Sequence, residues 1–156
     1  MKINKDERGR TLYYVAVDIL LCRNGKLLLQ RRANTGWNDG KWNLVGGHIE
    51  GEETILDCII REAREELGIT VKAEDLKIVH CMQHKTDRQT MQFYVYCSKF
   101  SGEPEIQPEL CGAKLVCKAD KLDWFDINNL PDEIIPSAKA AILGYSKGKH
   151  FSNLGY

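Results

Sequence analysis

The sequence predicts an α/β fold, a mixed β-sheet in an α/β/α sandwich, on three observations. Apolar runs of strand length stand on both sides of one long amphipathic helix. Polar turns separate those runs. A second helical pattern follows the last strand. Strands before and after a helix, with a further helix beyond them, can bury both faces of a sheet. The chain has 156 residues, enough for one domain with a substantial core. No repeat, low-complexity tract or linker divides it, so 1–156 is read as a single domain.

Tyr13 to Cys22 is apolar and partly β-branched, a buried strand. Asn24-Gly25 signals a hairpin turn, and Lys26 to Arg32 returns as the second strand. Ala33 to Gly40 is polar and glycine-rich, a loop. Trp42 to Val45 and His48 to Glu50 are short strands around a glycine pair. Glu53 to Leu67 lacks internal Gly and Pro, carries Ile55, Ile59, Ala63 and Leu67 at four-residue intervals, and ends at Gly68. Leu76 to His84 and Gln92 to Phe100 pair across a polar turn. Ser101 to Cys117 has little pattern. Lys121 to Asp126 is a strand, and Pro136 to Tyr145 a helix with Ala138, Ala141, Ile142 and Tyr145 inward.

The 22 basic and 22 acidic residues balance, so no global basic field argues for nucleic acid. Lys147 to His150 is read as a small solvated basic patch. No apolar run suits a membrane span, and the first ten residues lack the apolar core of a signal peptide. A cytoplasmic location is expected, as a monomer or homodimer. The six cysteines form no C-x-x-C pair and read as small buried hydrophobes in a reducing compartment. His80 and His84 fall in a strand pattern, where four residues hold them apart, and are not expected to bind metal.

The segment GHIEGEETILDCIIREAREELGI, Gly47 to Ile69, carries the chemistry. On its helix Glu62, Glu65 and Glu66 stand at i, i+3 and i+4, on one face. Like charges so placed repel by roughly 0.2–0.5 kcal/mol per pair in water, and more where the face is enclosed. Arg61 and Arg64 could make this an ordinary solvated acidic face. Val45-Gly46-Gly47-His48 just upstream argues otherwise, because glycines let the backbone approach closely and turn a carbonyl toward a ligand. Carboxylates plus a carbonyl form an oxygen-only donor set suited to Mg²⁺ or Mn²⁺.

The same segment matches every fixed letter of the Nudix box, G-x5-E-x7-R-E-U-x-E-E-x-G-U, with Ala63 at the first aliphatic position U. Gly40-Lys41-Trp42-Asn43-Leu44-Val45-Gly46-Gly47 resembles the W-x-L-P-G-G stretch of many members, with Val45 where Pro is common. Leu122 to Asp126, followed by Leu130-Pro131, is similar to the family's closing strand and turn. The chain therefore resembles a compact MutT-like Nudix hydrolase from about Tyr13 to Leu143.

That resemblance implies the α/β/α fold and metal-dependent cleavage of a phosphoanhydride in a nucleoside diphosphate linked to X. It implies Glu62, Glu65 and Glu66 as metal ligands, the Gly46 carbonyl as a further one, and Glu62 or Glu66 as general base. Arg61 and Glu53 are expected to form an orienting pair. A distal carboxylate is expected from Gln107-Pro108-Glu109-Leu110-Cys111, with Glu109 ahead of Asp120; the spacing from there to Trp124 is longer than the family's pattern. Arg31, Arg32 and Lys41 are candidates for phosphate contact. Tyr13, Trp37, Phe93 and Tyr94 are candidates for the nucleobase slot, with Asp18, Asn43 or Gln83 at base edges.

The expected substrate is a nucleoside triphosphate, in a normal or oxidised form, giving monophosphate and pyrophosphate. ADP-ribose, a dinucleoside polyphosphate or a nucleotide sugar are the alternatives. Thr70 to Gln89 holds neither the Pro nor the Tyr that family members for the first two often carry. A non-catalytic nucleotide-binding regulator is the alternative of another class, disfavoured because no box carboxylate is lost.

Overall fold

The structure, a computed structural model, describes residues 3–156. Its elements are β1 (Tyr14–Arg23), β2 (Lys26–Arg32), β3 (Trp42–Asn43), β4 (Val45–His48), α1 (Ile55–Leu67) and a 3-10 turn (Ala73–Asp75). β5 (Lys77–Lys85), β6 (Gln89–Cys97), β7 (Glu109–Cys111), β8 (Lys114–Val116), β9 (Ala119–Asp126), α2 (Pro136–Ser146) and β10 (Phe151–Leu154) follow.

Eight strands form one sheet in the order β10-β5-β6-β1-β2-β3, with β4 also paired to β1 and β9 to β2. β1 runs parallel to β6, and β10 parallel to β5; the other pairs are antiparallel. The sheet is therefore mixed, as expected. β1 is shared between two partners on one side. Its Ala16–Ile19 stretch pairs with β4, and only Cys22 and Arg23 pair with β2. That divergence opens the sheet beside the glycine pair.

Each face has its own core. Val17, Ile19, Leu21, Leu28, Val45 and Val95 pack against Cys58, Ile59, Ala63 and Leu67 of α1. Leu20, Leu27, Leu29, Trp42, Met82 and Tyr94 pack against Ala138, Ala141 and Ile142 of α2. The strand residues on the two faces alternate with period two. Each fully buried Leu or Ile contributes roughly 1.5–3 kcal/mol, so both helices are fixed to the sheet by their apolar faces. No helix among the described residues is long and apolar enough to cross a membrane.

Five local expectations change. The glycine pair lies inside β4, not between two short strands ending at Val45 and starting at His48. α1 starts at Ile55, because Thr54 caps it in a capping box with Asp57; Glu53 lies just ahead of the helix. The second strand of the β5–β6 pair runs from Gln89 to Cys97, not from Gln92 to Phe100. The weakly patterned 101–117 stretch contains the small β7–β8 hairpin. Lys147 to His150 are exposed, as expected, but the tail that contains them is anchored. The buried His80 ring bridges the Lys149 carbonyl at 2.7 Å and Ser152 Oγ at 2.8 Å, and β10 docks on β5. Of the cysteines, Cys58 and Cys97 are buried but Cys111 is exposed.

Candidate active site

α1 is held against β4 by its apolar face, and this sets the carboxylates at different depths. Glu62 is buried, with 8% of its surface exposed. Glu66 is half-buried, while Glu65 faces solvent. The three share a helical face, as the spacing predicts, but not one environment. Gly47 explains how Glu62 fits. A Cβ at position 47 would lie 2.5 Å from Glu62 Cδ and closer still to Oε1. Gly46 is equally constrained: a Cβ there would lie 2.7 Å from Asp18 Cα and would overlap the Val17 carbonyl oxygen. Neither glycine is there for an unusual φ; both are there for space.

Arg61 organises the outer side. Its Nε donates to Glu53 Oε1 at 2.5 Å and Nη2 to Glu53 Oε2 at 3.1 Å. Nη1 donates to Glu62 Oε1 at 2.8 Å and Glu65 Oε2 at 3.1 Å. Nη2 also reaches the His48 carbonyl at 3.0 Å. Glu53 in turn accepts from the Glu50 backbone N–H at 3.0 Å. The planar guanidinium thus ties the box Glu53, two helix glutamates and the strand next to Gly47 into one unit. The hydrogen bond from Arg61 holds Glu53 below the usual carboxylate range.

The inner side is short of positive charge. Burial pushes Glu66 up to about 8, and Glu62 and Glu109 add to the shift against the Gln30 hydrogen bond and Lys118. Burial also raises Glu62 despite its bond to Arg61. Gln30 Nε2 donates to Glu66 Oε2 at 3.2 Å. Carboxylates gathered in an enclosed place without a full set of counter-charges are costly unless a cation joins them. The donor set is all oxygen, which fits Mg²⁺ or Mn²⁺. Among the described residues, no three acidic, His or Cys side chains already converge as a closed ion cage.

Glu109 reaches this site through the C-terminal end of α1. The Glu105 and Gln107 N–H groups donate to the Leu67 and Glu66 carbonyls at 3.0 and 3.2 Å. These bonds satisfy orphan carbonyls of the helix end and aim the following residues at Glu66. Gln30, Glu66, Gln107, Glu109 and Lys118 then line one recess. Asp120 lies elsewhere. It is exposed and accepts from Arg31 Nε at 2.8 Å.

The remaining candidates separate. Arg31 is taken up by Asp120, away from the carboxylates. Arg32, the next residue, feels the charges of Asp39, Glu66 and Asp18. Its guanidinium lies 4.8 Å from the Trp37 ring centre and donates to the Trp37 carbonyl and Thr35 Oγ1. Trp37 is 53% exposed. Lys41 is half-buried ahead of β3. Phe93 packs on the α1-side core and Tyr94 is fully buried on the α2 side, so neither presents a free ring. Gln83 donates to Tyr13 Oη at 2.7 Å, near the C-terminal Tyr156. Asp18 is buried, opposite Gly46 in the β1–β4 register, and accepts from Gln92 Nε2 at 2.5 Å. Burial pushes it up to about 7, opposed by Gln92, helped by Glu62 and opposed by Arg32.

Sequence reasoning missed Gln30 and Lys118. Gln30 had a signal, a polar residue ending the apolar run Leu27-Leu28-Leu29. Lys118 had none, since one lysine in a polar stretch is unremarkable.

Comparison with known proteins agrees with this architecture. The NUDIX domain family model matches residues 12–143. An ADP-ribose pyrophosphatase from Methanocaldococcus jannaschii is 29% identical over 119 residues, 75% of this chain and 64% of that protein. An oxidized purine nucleoside triphosphate hydrolase from Danio rerio is 28% identical over 118 residues, 72% of this chain and 66% of that protein. The chain thus spans just under two thirds of these curated relatives. The crystal structure of a MutT NUDIX hydrolase from Burkholderia pseudomallei superposes with a TM-score of 0.72 at 23% identity, covering 85% of this chain and 97% of that one.

Proposed function

The chain belongs to the NUDIX family, and from that premise we propose that it is a divalent-metal-dependent hydrolase of a nucleoside diphosphate linked to X. The favoured substrate is a nucleoside triphosphate, cleaved to monophosphate and pyrophosphate. The observation that carries this reading is the buried Glu62 against Gly47 beside the half-buried Glu66, which burial first and then its acidic neighbours raise and which is short of counter-charge.

Glu62, Glu66 and Glu109, with Glu65 at the rim and the Gly46 carbonyl, would hold Mg²⁺ or Mn²⁺. When bound, such an ion neutralises phosphate oxygens and lowers the pKa of a coordinated water. Arg61, locked on Glu53, keeps Glu62 in one orientation. Glu66 or Glu62 accepts the proton of the attacking water. Arg32 is assigned to phosphate contact and Trp37 to base stacking in this reading. Lys41 stays a phosphate candidate. Arg31, held by Asp120, and Phe93, packed in the core, are weaker substrate contacts than their residue types suggest.

ADP-ribose is the second reading, supported by the similarity to the archaeal pyrophosphatase. The test is a screen of standard and oxidised nucleoside triphosphates, ADP-ribose, nucleotide sugars and dinucleoside polyphosphates with Mg²⁺ or Mn²⁺. Pyrophosphate and monophosphate are the expected products. ADP-ribose cleavage alone would favour the second reading. Equal turnover in excess EDTA would rule out the metal mechanism, and no turnover on any substrate would favour a binding module.

A further inference from the structure

Lys118 is the one cation on the inner side of the carboxylate cluster among the recess-lining residues. Its ammonium forms an ion pair with Glu109 Oε2. Glu109 pairs with it while only 18% of its own side chain is exposed, against 47% for Lys118. The lysine is not carried there by a free loop. Its carbonyl accepts from the Ala33 N–H at 2.9 Å, and the preceding Cys117 carbonyl accepts from Asn34 Nδ2 at 3.0 Å. These bonds fasten residues 117–118 to the end of β2, next to Gln30, which itself donates to Glu66. Glu109, Glu66 and Glu62 all favour the charged form of Lys118, Glu109 most.

The outer side has an analogous device. Arg61 occupies Glu53, Glu62 and Glu65. The two cations divide the cluster, and among the described residues no three acidic, His or Cys side chains stand close enough together to hold a metal ion.

We propose that Lys118 is a built-in countercation that latches Glu109 and competes with a divalent ion for that carboxylate. The proposal rests on the metal-site reading above and assigns a positioning role to a residue outside the Nudix box. In the substrate-free chain Lys118 keeps Glu109 folded over the recess and limits repulsion with Glu66. A divalent ion that recruits Glu109 must break this ion pair. The released ammonium then faces the recess, where a polyphosphate would bring negative charge.

The test is Mn²⁺ titration calorimetry on the full, substrate-free chain. Lys118→Met, which keeps the aliphatic stem, should bind Mn²⁺ roughly fivefold more tightly or better, the size of a partly exposed ion pair. Lys118→Arg, which keeps the charge, should stay close to the parent. Glu109→Gln should weaken binding, and adding Lys118→Met to it should bring no gain. The last arm separates a specific latch from a general rise in negative charge. Unchanged or weaker binding in Lys118→Met would overturn the latch, as would a full gain that persists beside Glu109→Gln. If the parent binds no Mn²⁺, the metal-site reading itself fails and the latch fails with it. Lys118→Gln serves the same comparison should the Met variant misfold by circular dichroism.

Discussion

Replacing Gly47 with Ala isolates the role of backbone approach at the site. The added Cβ would overlap Glu62 Oε1 and lie 2.5 Å from Cδ, where ordinary contact begins at 3.4 Å, so the carboxylate must retreat by more than about 0.9 Å. Glu62 cannot do so freely, because Arg61 Nη1 holds Oε1 at 2.8 Å and Ala63 behind it is fully buried. Overpacking of this kind costs about 1–3 kcal/mol of stability. Because φ at Gly47 is not positive, no backbone strain adds to that figure. A displacement near 1 Å in a catalytic group can cost ~100-fold in rate. Urea unfolding and kcat on the best substrate from the screen measure the two effects separately. We expect a folded variant with a modest stability loss and a large loss of kcat. A Gly47→Ala variant with parental kcat and parental Mn²⁺ affinity would refute the claim that Glu62 must sit against a bare backbone.

Arg61→Ala should lower stability by about 2 kcal/mol near neutral pH, between the values for exposed and buried ion pairs. The deficit should shrink in acid: the depressed Glu53 contributes stability above its unfolded pKa that is lost as pH falls through its folded one. A deficit unchanged between neutral and acidic urea melts would contradict this. Glu109→Gln should lower kcat by roughly tenfold or more, whereas Asp120→Asn should leave it near parental; the reverse order would move the distal carboxylate to Asp120. Asp18 titrates the other way. Its folded pKa is raised from 3.8 to about 7, so its stability term is complete below the unfolded value and is lost as pH rises through about 7. Three units correspond to at most roughly 4 kcal/mol. Asp18→Asn should therefore gain on the parent between mildly acidic and alkaline pH, and parallel stability profiles would remove the case for a buried proton there.

The amino-acid sequence alone determined the features that depend on neighbours along the chain. Ile55, Ile59, Ala63 and Leu67 repeat with helical period, Gly68 stops that helix, and the spacing of Glu53 and Arg61 lets them meet. The glycine pair ahead of the helix was equally readable as a place of close backbone approach; that Glu62 is the group that approaches Gly47 came from packing. Tertiary structure decided everything that depends on depth or on distant partners. Helical spacing puts Glu62, Glu65 and Glu66 on one face, but only docking against β4 buries the first and leaves Glu65 in water. Arg31 and Arg32 are adjacent and chemically equivalent in the sequence. A register shift where β2 meets β9 and the alternation of a strand send one to Asp120 and the other onto Thr35 and Trp37. Glu109 is brought to the recess by hydrogen bonds to the end of a helix some forty residues earlier, and Lys118 by contacts with β2. Local periodicity encodes which groups share a face; how far water is excluded from them, and which charge completes them, is set by packing between segments far apart in the chain.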